Sequence, residues 1–182
     1  MAPVRGQRHA SGARGAPYDF DMASSEFLLV SHWLVAAPRE AVWRALRQPL
    51  EWPTWWRYVR RVAELDPSAA DGVGARHRVH WTSRLPYSIH LETRVAEVRE
   101  PALIRIEASG DLTGQGTWRL DDAPGGTAVA YTWRVDLDKA WMRALAPLLR
   151  PVFAWNHNAV MTAGETGLRS MLEPSAGAAT ST

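Results

Sequence analysis

The chain has 182 residues, of which 46% are hydrophobic, so it is long enough for one domain with a sizeable core. It contains no cysteine, which excludes disulfides, thiol chemistry and cysteine metal sites, and it has no apolar run long enough to span a membrane. The formal net charge is only +2 and the basic residues are scattered, which argues against a nucleic-acid-binding protein.

Both ends of the chain lack the large apolar side chains that form a core. Residues 1–24 are rich in Gly, Ala, Pro, Arg and Ser, and residues 174–182 are of low complexity. We expect both to be disordered tails that flank one domain at residues 25–173. Because the N-terminal stretch has no apolar signal core, the expected location is cytoplasmic.

The folded part is predicted to begin with one strand and two short helices. Residues 26–36 are rich in apolar and branched side chains, as strands are. Pro38 suits the first turn of a helix, and Pro49 ends that helix. A second helical piece follows around residues 50–56, where Trp52, Trp55 and Trp56 recur at helical spacing and form one aromatic face.

From residue 58 the hydrophobic pattern changes to the alternation that is typical of strands. Turns with Pro or Gly divide it into six segments, 58–66, 75–83, 87–98, 102–109, 111–122 and 127–137. Gly114 and Gly116, inside the fifth segment, predict a bulge or the close approach of another backbone. Short strands joined by tight turns predict an antiparallel sheet with one packed face and one face in solvent.

The last predicted element is one long C-terminal helix at residues 138–172. Asp138 is the expected N-cap, and Pro147 and Pro151 predict a kink or a restart, because proline removes an amide donor and clashes with the preceding turn. We interpret Gly164 and Gly167 either as space left for a ligand or as relief of tight packing. The apolar stripe at three-or-four spacing predicts a buried face made of Trp141, Leu145, Leu148, Val152, Trp155, Ala159 and Ala163.

A single long helix must bury its apolar stripe against the sheet, which predicts an α+β fold with a hollow between the two. The ten tryptophans occur in every predicted element and either fill a core or line a cavity for an apolar ligand. A buried Asn156 needs a partner, and His157 suits general acid or base chemistry; the alternative is that both bond to the sheet or to water. The candidate cavity-lining residues are Trp81, Tyr87, Trp118, Tyr131, Trp133, Trp141, Val152, Asn156, His157, Val160 and Gly164.

No metal site and no cofactor are expected. His77 and His80 are three apart on a predicted strand and point to opposite faces, so they do not suit one ion. The chain has no glycine-rich phosphate loop and no Gly-x-Ser-x-Gly elbow, which are signatures of nucleotide binding and of one class of hydrolase. His90, Glu92 and Arg94 share a strand face, which is either a solvated surface or an acid/base set inside the cavity.

Three parts of the chain resemble a known ligand-binding superfamily. Residues 35–38 (Val-Ala-Ala-Pro) and 40–43 (Glu-Ala-Val-Trp) resemble its opening strand and first helix, and residues 52–56 (Trp-Pro-Thr-Trp-Trp) resemble its second helix. Residues 114–118 (Gly-Gln-Gly-Thr-Trp) with 131–133 (Tyr-Thr-Trp) resemble its late strand pair. Over residues 26–172 the chain resembles the helix-grip, START-like (SRPBCC) superfamily of the birch pollen allergen, and within it the polyketide cyclase/dehydratase family.

The resemblance implies a curved antiparallel sheet of about seven strands wrapped around a long C-terminal helix, with two short helices after the first strand. It also implies a carrier or sensor that binds a hydrophobic, aromatic or polycyclic small molecule in an internal cavity. One alternative is a polyketide cyclase, aromatase or dehydratase that uses polar cavity groups for acid/base chemistry, and another is a protein-interaction module with a filled core. The superfamily has no universal catalytic motif, so the resemblance assigns no catalytic residue. We expect a monomer or a homodimer.

Overall fold

The structure is a computed structural model that describes residues 26–67, 72–84, 86–136 and 140–173, with the backbone alone for residues 26, 136 and 140–150. The elements within these ranges follow the predicted order. They are β1 (Glu26–Val35), α1 (Arg39–Arg47), a 3₁₀ turn (Pro49–Glu51), α2 (Trp52–Trp55), β2 (Val59–Asp66), β3 (Arg76–Trp81), β4 (Ile89–Arg99), β5 (Leu103–Gly110), β6 (Thr113–Ala123), β7 (Gly126–Asp136) and α3 (Ala140–Leu172).

The strands form one seven-stranded antiparallel sheet in the order β1-β7-β6-β5-β4-β3-β2. Strands β2 to β7 pair with their neighbours in the chain, whereas β1 pairs with β7 from Glu26 opposite Asp136 to Val35 opposite Thr127. The register of β4 shifts between Val95 and Glu97, and such a bulge bends a strand. The curved antiparallel sheet predicted from the sequence is therefore confirmed.

Helix α3 runs as one unbroken element from Ala140 to Leu172. The restart predicted at Pro147 and Pro151 is therefore absent: the prolines lack amide donors, but the residues on both sides keep a helical backbone. The predicted N-cap Asp138 and the side chain of Trp141 lie outside the described residues. In the described ranges, no helix is long and apolar enough to cross a membrane.

The buried face of α3 differs from the predicted stripe. Trp155 is 47% exposed and Val152 is 42% exposed. The guanidinium of Arg84 lies 5.2 Å from the centre of the Trp155 ring, so this tryptophan packs on the surface. The buried stripe lies one residue further along the helix than predicted, because the prediction placed the large apolar side chain of Trp155 on the buried face. The buried face carries Asn156, Met161, Gly164 and Leu168.

A cluster of tryptophan rings forms the centre of the core between the helices and the inner face of the sheet. Trp56 is 1% exposed, and its ring centre lies 5.7 Å from that of Trp33 and 5.1 Å from that of Trp81. Trp118 packs against Trp33 with 5.2 Å between ring centres. The indole N–H of Trp56 donates a 2.9 Å hydrogen bond to the carbonyl oxygen of Val160. This bond ties the end of α2 to α3.

Gly164 and Gly167 lie where α3 touches the tryptophan cluster. A Cβ atom on Gly164 would lie 2.4 Å from Cε2 of Trp56, and one on Gly167 would lie 1.7 Å from the carbonyl oxygen of Trp55. Both distances are shorter than real Cβ contacts, so this approach requires residues without a side chain. Of the two interpretations of these glycines, the structure supports the relief of tight packing.

Candidate ligand-binding cavity

A cavity of about 610 Å³ lies between α3 and the inner face of the sheet. Because side chains alternate along a strand, paired residues such as Leu29 of β1 and Trp133 of β7 share this inner face. The apolar and aromatic lining consists of Phe27, Leu29, Trp52, Trp56, Val79, Trp81, Ile89, Leu91, Ile106, Leu112, Trp118, Tyr131, Trp133, Val135, Val152, Phe153, Val160 and Met161. The remaining lining residues are Thr82, Ser83, Tyr87, Ser88, Thr93, Asp111, Asn156 and His157.

A row of stacked rings on β6 and β7 forms one wall of the cavity. The ring centres of Trp118 and Tyr131 are 4.1 Å apart, and Trp133 follows 6.5 Å from Tyr131. Gly116 makes room for this row, since a Cβ atom there would lie 2.8 Å from the hydroxyl oxygen of Tyr131. At Gly114 a Cβ atom would lie 2.0 Å from a backbone carbonyl oxygen of β7. The predicted close approach of another backbone is therefore present at Gly114, whereas the close neighbours of Gly116 are side chains.

Asn156 brings a polar side chain into this apolar lining. It is 7% exposed, and its Oδ1 atom has no hydrogen-bond partner within the described part of the chain. A buried acceptor without a partner costs about 1–3 kcal/mol. A hydroxyl or N–H group of a bound molecule that reached this atom would remove the cost.

His157 and Tyr131 form the second polar feature of the cavity. The Nε2 atom of His157 lies 3.3 Å from Oγ of Ser31, and its ring is inclined by 17° to the Tyr131 ring, with 6.3 Å between centres. Burial lowers the pKa of His157 to about 4 and raises the pKa of Tyr131 above its ordinary value. Both side chains are therefore uncharged at neutral pH and offer hydrogen bonds rather than charge.

Acid should weaken the fold through His157. In the unfolded chain this side chain takes up a proton near pH 6.5, whereas burial delays its protonation in the folded protein to about pH 4. The unfolded state therefore binds more protons in this window, so the contribution of His157 to stability is lost as the pH falls from 6.5 towards 4. We expect this loss to be about 2–3 kcal/mol in the free energy of unfolding. Urea unfolding at a series of pH values measures it.

The matched variant for this experiment is His157→Gln. Glutamine keeps a group that can hydrogen-bond to Ser31 but does not titrate. The free energy of unfolding of the variant should depend less steeply on pH than that of the wild type, and carboxylates that titrate in both proteins cancel in the difference. Parallel curves for the two proteins would contradict the assigned burial of His157.

The mouth of the cavity lies where the β3–β4 and β5–β6 connections approach α3. Tyr87 and Val152 line the cavity and are 40% and 42% exposed. Asp111 is also exposed, and its carboxylate accepts a 2.8 Å hydrogen bond from the backbone N–H of His90. This bond ties the β5–β6 connection to the start of β4 at one side of the mouth.

The structure brings together most of the side chains that were predicted to line a cavity. The predicted residues that line it are Trp81, Tyr87, Trp118, Tyr131, Trp133, Val152, Asn156, His157 and Val160. Gly164 is not among the lining residues, because it packs against Trp56, and the side chain of Trp141 lies outside the described residues. Phe27 and Leu29 line the cavity without having been predicted, although the alternation along β1 places both on one face.

The polar set on β4 lies on the outer face of the sheet. Glu92 accepts hydrogen bonds of 2.6 Å from Arg78 and 3.2 Å from Arg76. The hydrogen bond from Arg78 keeps the pKa of Glu92 below its usual range. On the same face, His90 stacks on His80 with 4.3 Å between ring centres. This face is therefore a solvated surface, and it contributes no acid or base to the cavity.

His77 and His80 lie on opposite sides of the sheet. His77 pairs with Thr93 across β3 and β4 and faces the interior, whereas His80 pairs with His90 on the outer face. Among the residues that the structure describes, no group of three or more His, Asp or Glu is arranged to hold a metal ion.

Solved structures share this fold at low sequence identity. The di-domain ARO/CYC BexL from the BE-7585A biosynthetic pathway is similar with 16% identity and a TM-score of 0.70, over 85% of this chain and 52% of that chain. The protein TTHA0849 from Thermus thermophilus is similar with 17% identity and a TM-score of 0.61, over 80% of this chain and 98% of that chain. Ara h 8.0201 is similar with 11% identity and a TM-score of 0.55, over 80% of this chain and 99% of that chain.

The chain thus spans about half the length of the di-domain protein, at 52%. No curated protein matches the chain. A model of the family described as polyketide cyclase / dehydrase and lipid transport matches residues 30–173, which include most of β1 and every later element. With its helix-grip, START-like fold, the chain therefore belongs to the polyketide cyclase / dehydrase and lipid transport family.

Proposed function

We propose that the protein binds a hydrophobic small molecule with aromatic or polycyclic rings in this cavity, as a carrier or sensor. The observation that carries the proposal is about 610 Å³ of space whose walls include the rings of Trp81, Trp118, Tyr131 and Trp133. Pockets for drug-sized ligands typically measure roughly 300–1,000 Å³ and are mostly apolar with a few polar groups. Membership of a family described by polyketide cyclisation and lipid transport supports the same class of ligand.

The charges of the lining favour a ligand without net charge. Of the described lining residues, Asp111 alone carries a charge at neutral pH, and it lies at the exposed mouth. A charged ligand group would lose its hydration inside the cavity without an opposite charge to offset the loss. Asn156, His157 and Tyr131 supply hydrogen bonds to polar groups such as ketones or hydroxyls. The ligand class is therefore an uncharged ring system with a few keto or hydroxyl groups.

Narrowing the cavity should weaken binding while the fold is retained. Val160→Phe adds bulk to the lining from α3, whereas Thr162→Phe adds a similar ring on the exposed side of the same helix. We expect Val160→Phe to bind a hydroxylated anthraquinone about ten-fold more weakly than the wild type, a loss of roughly 1.4 kcal/mol. Thr162→Phe should bind it with the affinity of the wild type. Isothermal titration calorimetry measures the affinities, and circular dichroism checks the fold.

Asn156→Leu tests the polar group of the cavity separately. Leucine is of similar size and removes the unpartnered Oδ1 atom, so the variant should be at least as stable as the wild type. Its affinity for the hydroxylated anthraquinone should fall about five-fold, as expected for one hydrogen bond. Its affinity for anthracene, which has no polar group, should not fall. If the wild type binds none of a panel of flavonoids, fatty acids and aromatic polyketides saturably, the filled-core interaction module becomes the better explanation.

A polyketide cyclase is the second candidate, and the meeting of Tyr131, His157 and Asn156 in one cavity favours it. These groups could polarise ketones of a folded poly-ketone chain while the aromatic walls hold its shape. With its pKa near 4, however, His157 is a weak base at neutral pH, which is why binding is the leading proposal. A linear poly-ketone incubated with the protein distinguishes the two by mass spectrometry. A carrier returns it unchanged, whereas a cyclase yields a ring product with loss of water, less of it in His157→Gln.

A further inference from the structure

A second chamber of about 580 Å³ lies on the inner face of the sheet beneath α1, the 3₁₀ turn and α2. Trp52, Thr93, Ile106 and Trp118 line both this chamber and the first cavity. These four side chains therefore stand between the two spaces. The hollow between the sheet and the helices therefore has two adjoining compartments that meet at these residues.

The second chamber has an apolar interior and a polar mouth. Val95 and Ile104 of the sheet and Trp55 of α2 line its interior, and none of the three lines the first cavity. Glu51 and Glu64 also line the chamber, and both are exposed. The chamber therefore opens to solvent beside these carboxylates, at a different place from the mouth of the first cavity.

A row of polar side chains crosses three strands inside the chamber. Glu64 of β2 pairs with His77 of β3, and His77 pairs with Thr93 of β4, so all three share the inner face. The Thr93 hydroxyl donates a 3.4 Å hydrogen bond to the backbone carbonyl of His77. Burial lowers the pKa of His77, although the charge of Glu64 opposes this effect. The imidazole is therefore neutral at neutral pH and offers one hydrogen-bond donor and one acceptor.

Two tryptophans of the chamber carry unused hydrogen-bond donors. The Nε1 atoms of Trp52 and Trp55 are buried and have no hydrogen-bond partner among the described residues. Both residues line the chamber. A ligand oxygen at this end of the chamber can accept a hydrogen bond from an indole N–H or from the imidazole of His77, whereas the Glu64 carboxylate requires a donor. A hydroxyl group meets both requirements, since it donates and accepts.

The lining of the chamber carries one cation and two carboxylates. Arg47 lines it together with Glu51 and Glu64. The guanidinium of Arg47 lies 5.7 Å from the ring centre of Trp43 on α1 and also lies against Gly72, another lining residue. The excess of carboxylates disfavours an anion, and the apolar interior disfavours any ligand group that carries a net charge. The chemistry therefore suits a molecule without net charge.

We propose that this chamber is a second binding site, which takes a small uncharged aromatic alcohol or phenol. The ring of the ligand lies against Trp55 and the apolar sheet residues. Its hydroxyl donates to the Glu64 carboxylate and accepts from His77. The proposal goes beyond the function of the first cavity, because the two compartments open separately and each is lined by residues that the other lacks.

The probe for this site is 2-naphthol, which is small enough for either compartment. Nuclear Overhauser effects from the probe to the methyl groups of Val95 and Ile104 would report the second chamber, and those to Val160 would report the first cavity. In the wild type we expect Overhauser effects at both sites. Glu64→Gln and His77→Leu should each weaken binding at the Ile104 methyls about ten-fold, equivalent to roughly 1.4 kcal/mol. The effects at Val160 should be unchanged in both variants.

Three comparisons make the outcome decisive. Glu107→Gln makes the same chemical change on the outer face of the sheet and should leave both sites intact. Naphthalene, which lacks the hydroxyl, should bind wild type and Glu64→Gln equally well. Val160→Phe should reduce the effects at the methyl groups of Leu29, which line the first cavity alone, and leave those at Ile104 unchanged, so failure of the first cavity is separable from failure of the second. The proposal is overturned if saturating 2-naphthol gives no contact with Ile104, or if Glu64→Gln and His77→Leu bind it as the wild type does.

Discussion

Replacing Trp56 with alanine should lower the free energy of unfolding by about 3–5 kcal/mol. The side chain is 1% exposed, and its ring lies 5.1 to 5.7 Å from the rings of Trp33, Trp55 and Trp81. Its loss would leave a large void at the centre of the core and would remove the hydrogen bond to the carbonyl of Val160. Urea unfolding followed by circular dichroism measures the change.

Two variants separate the causes of this loss. Trp155→Ala removes an equally large ring from α3, but that ring is 47% exposed, so we expect a loss below about 1 kcal/mol. Trp56→Phe keeps one aromatic ring in the core and removes the N–H donor with part of the indole, so its loss should lie between the other two. Equal destabilisation by Trp56→Ala and Trp155→Ala would show that the tryptophan cluster is not the centre of the core.

Gly167→Ala should destabilise the protein, against the usual rule for helices. In an exposed helix the same change gains about 1 kcal/mol. Here the new Cβ atom would lie 1.7 Å from the carbonyl oxygen of Trp55, so the backbone of α2 or of α3 has to move. We expect a loss of about 3 kcal/mol, as in overpacked cores. For a domain of this size, that loss lowers the melting temperature by roughly 6–12 °C.

The control for this prediction is Thr162→Ala, which introduces the same residue on the exposed side of α3. Its melting temperature should equal that of the wild type or exceed it slightly. Gly164→Ala should behave like Gly167→Ala, but with a smaller loss, because its Cβ atom would meet the ring of Trp56 rather than a backbone atom. An unchanged or higher melting temperature for Gly167→Ala would contradict the close contact between α3 and α2.

The element order and the sheet could be predicted because they depend on local signals. Alternation, turn residues and the change of period at residue 58 identify each strand without knowledge of its partners. Which face of α3 is buried could not be predicted in the same way. Two stripes one residue apart both carry apolar side chains, and the choice between them depends on Gly164 fitting against Trp56, a contact between distant parts of the chain.

The same limit applies to the cavity. Trp118, Tyr131 and Trp133 could be predicted as lining residues, because each belongs to a strand with a clear inner face. A glycine in a helix, in contrast, shows that another group comes close to the helix. It does not show whether that group belongs to a ligand or is a ring of the protein. For this reason Gly164 was a plausible cavity residue in the sequence and is a packing residue in the structure.

The pairing of β1 with β7 has a consequence for the way the chain is made. A ribosome releases β1 before all other described elements, but the partner of β1 in the sheet is the last strand. Until Asp136 has emerged, the backbone groups of β1 have no strand to pair with, and Phe27, Leu29 and Trp33 have no finished core to enter. Exposed apolar surface and unpaired strand edges make a growing chain prone to aggregation. This strand is therefore the segment of the nascent protein that most needs protection by a chaperone.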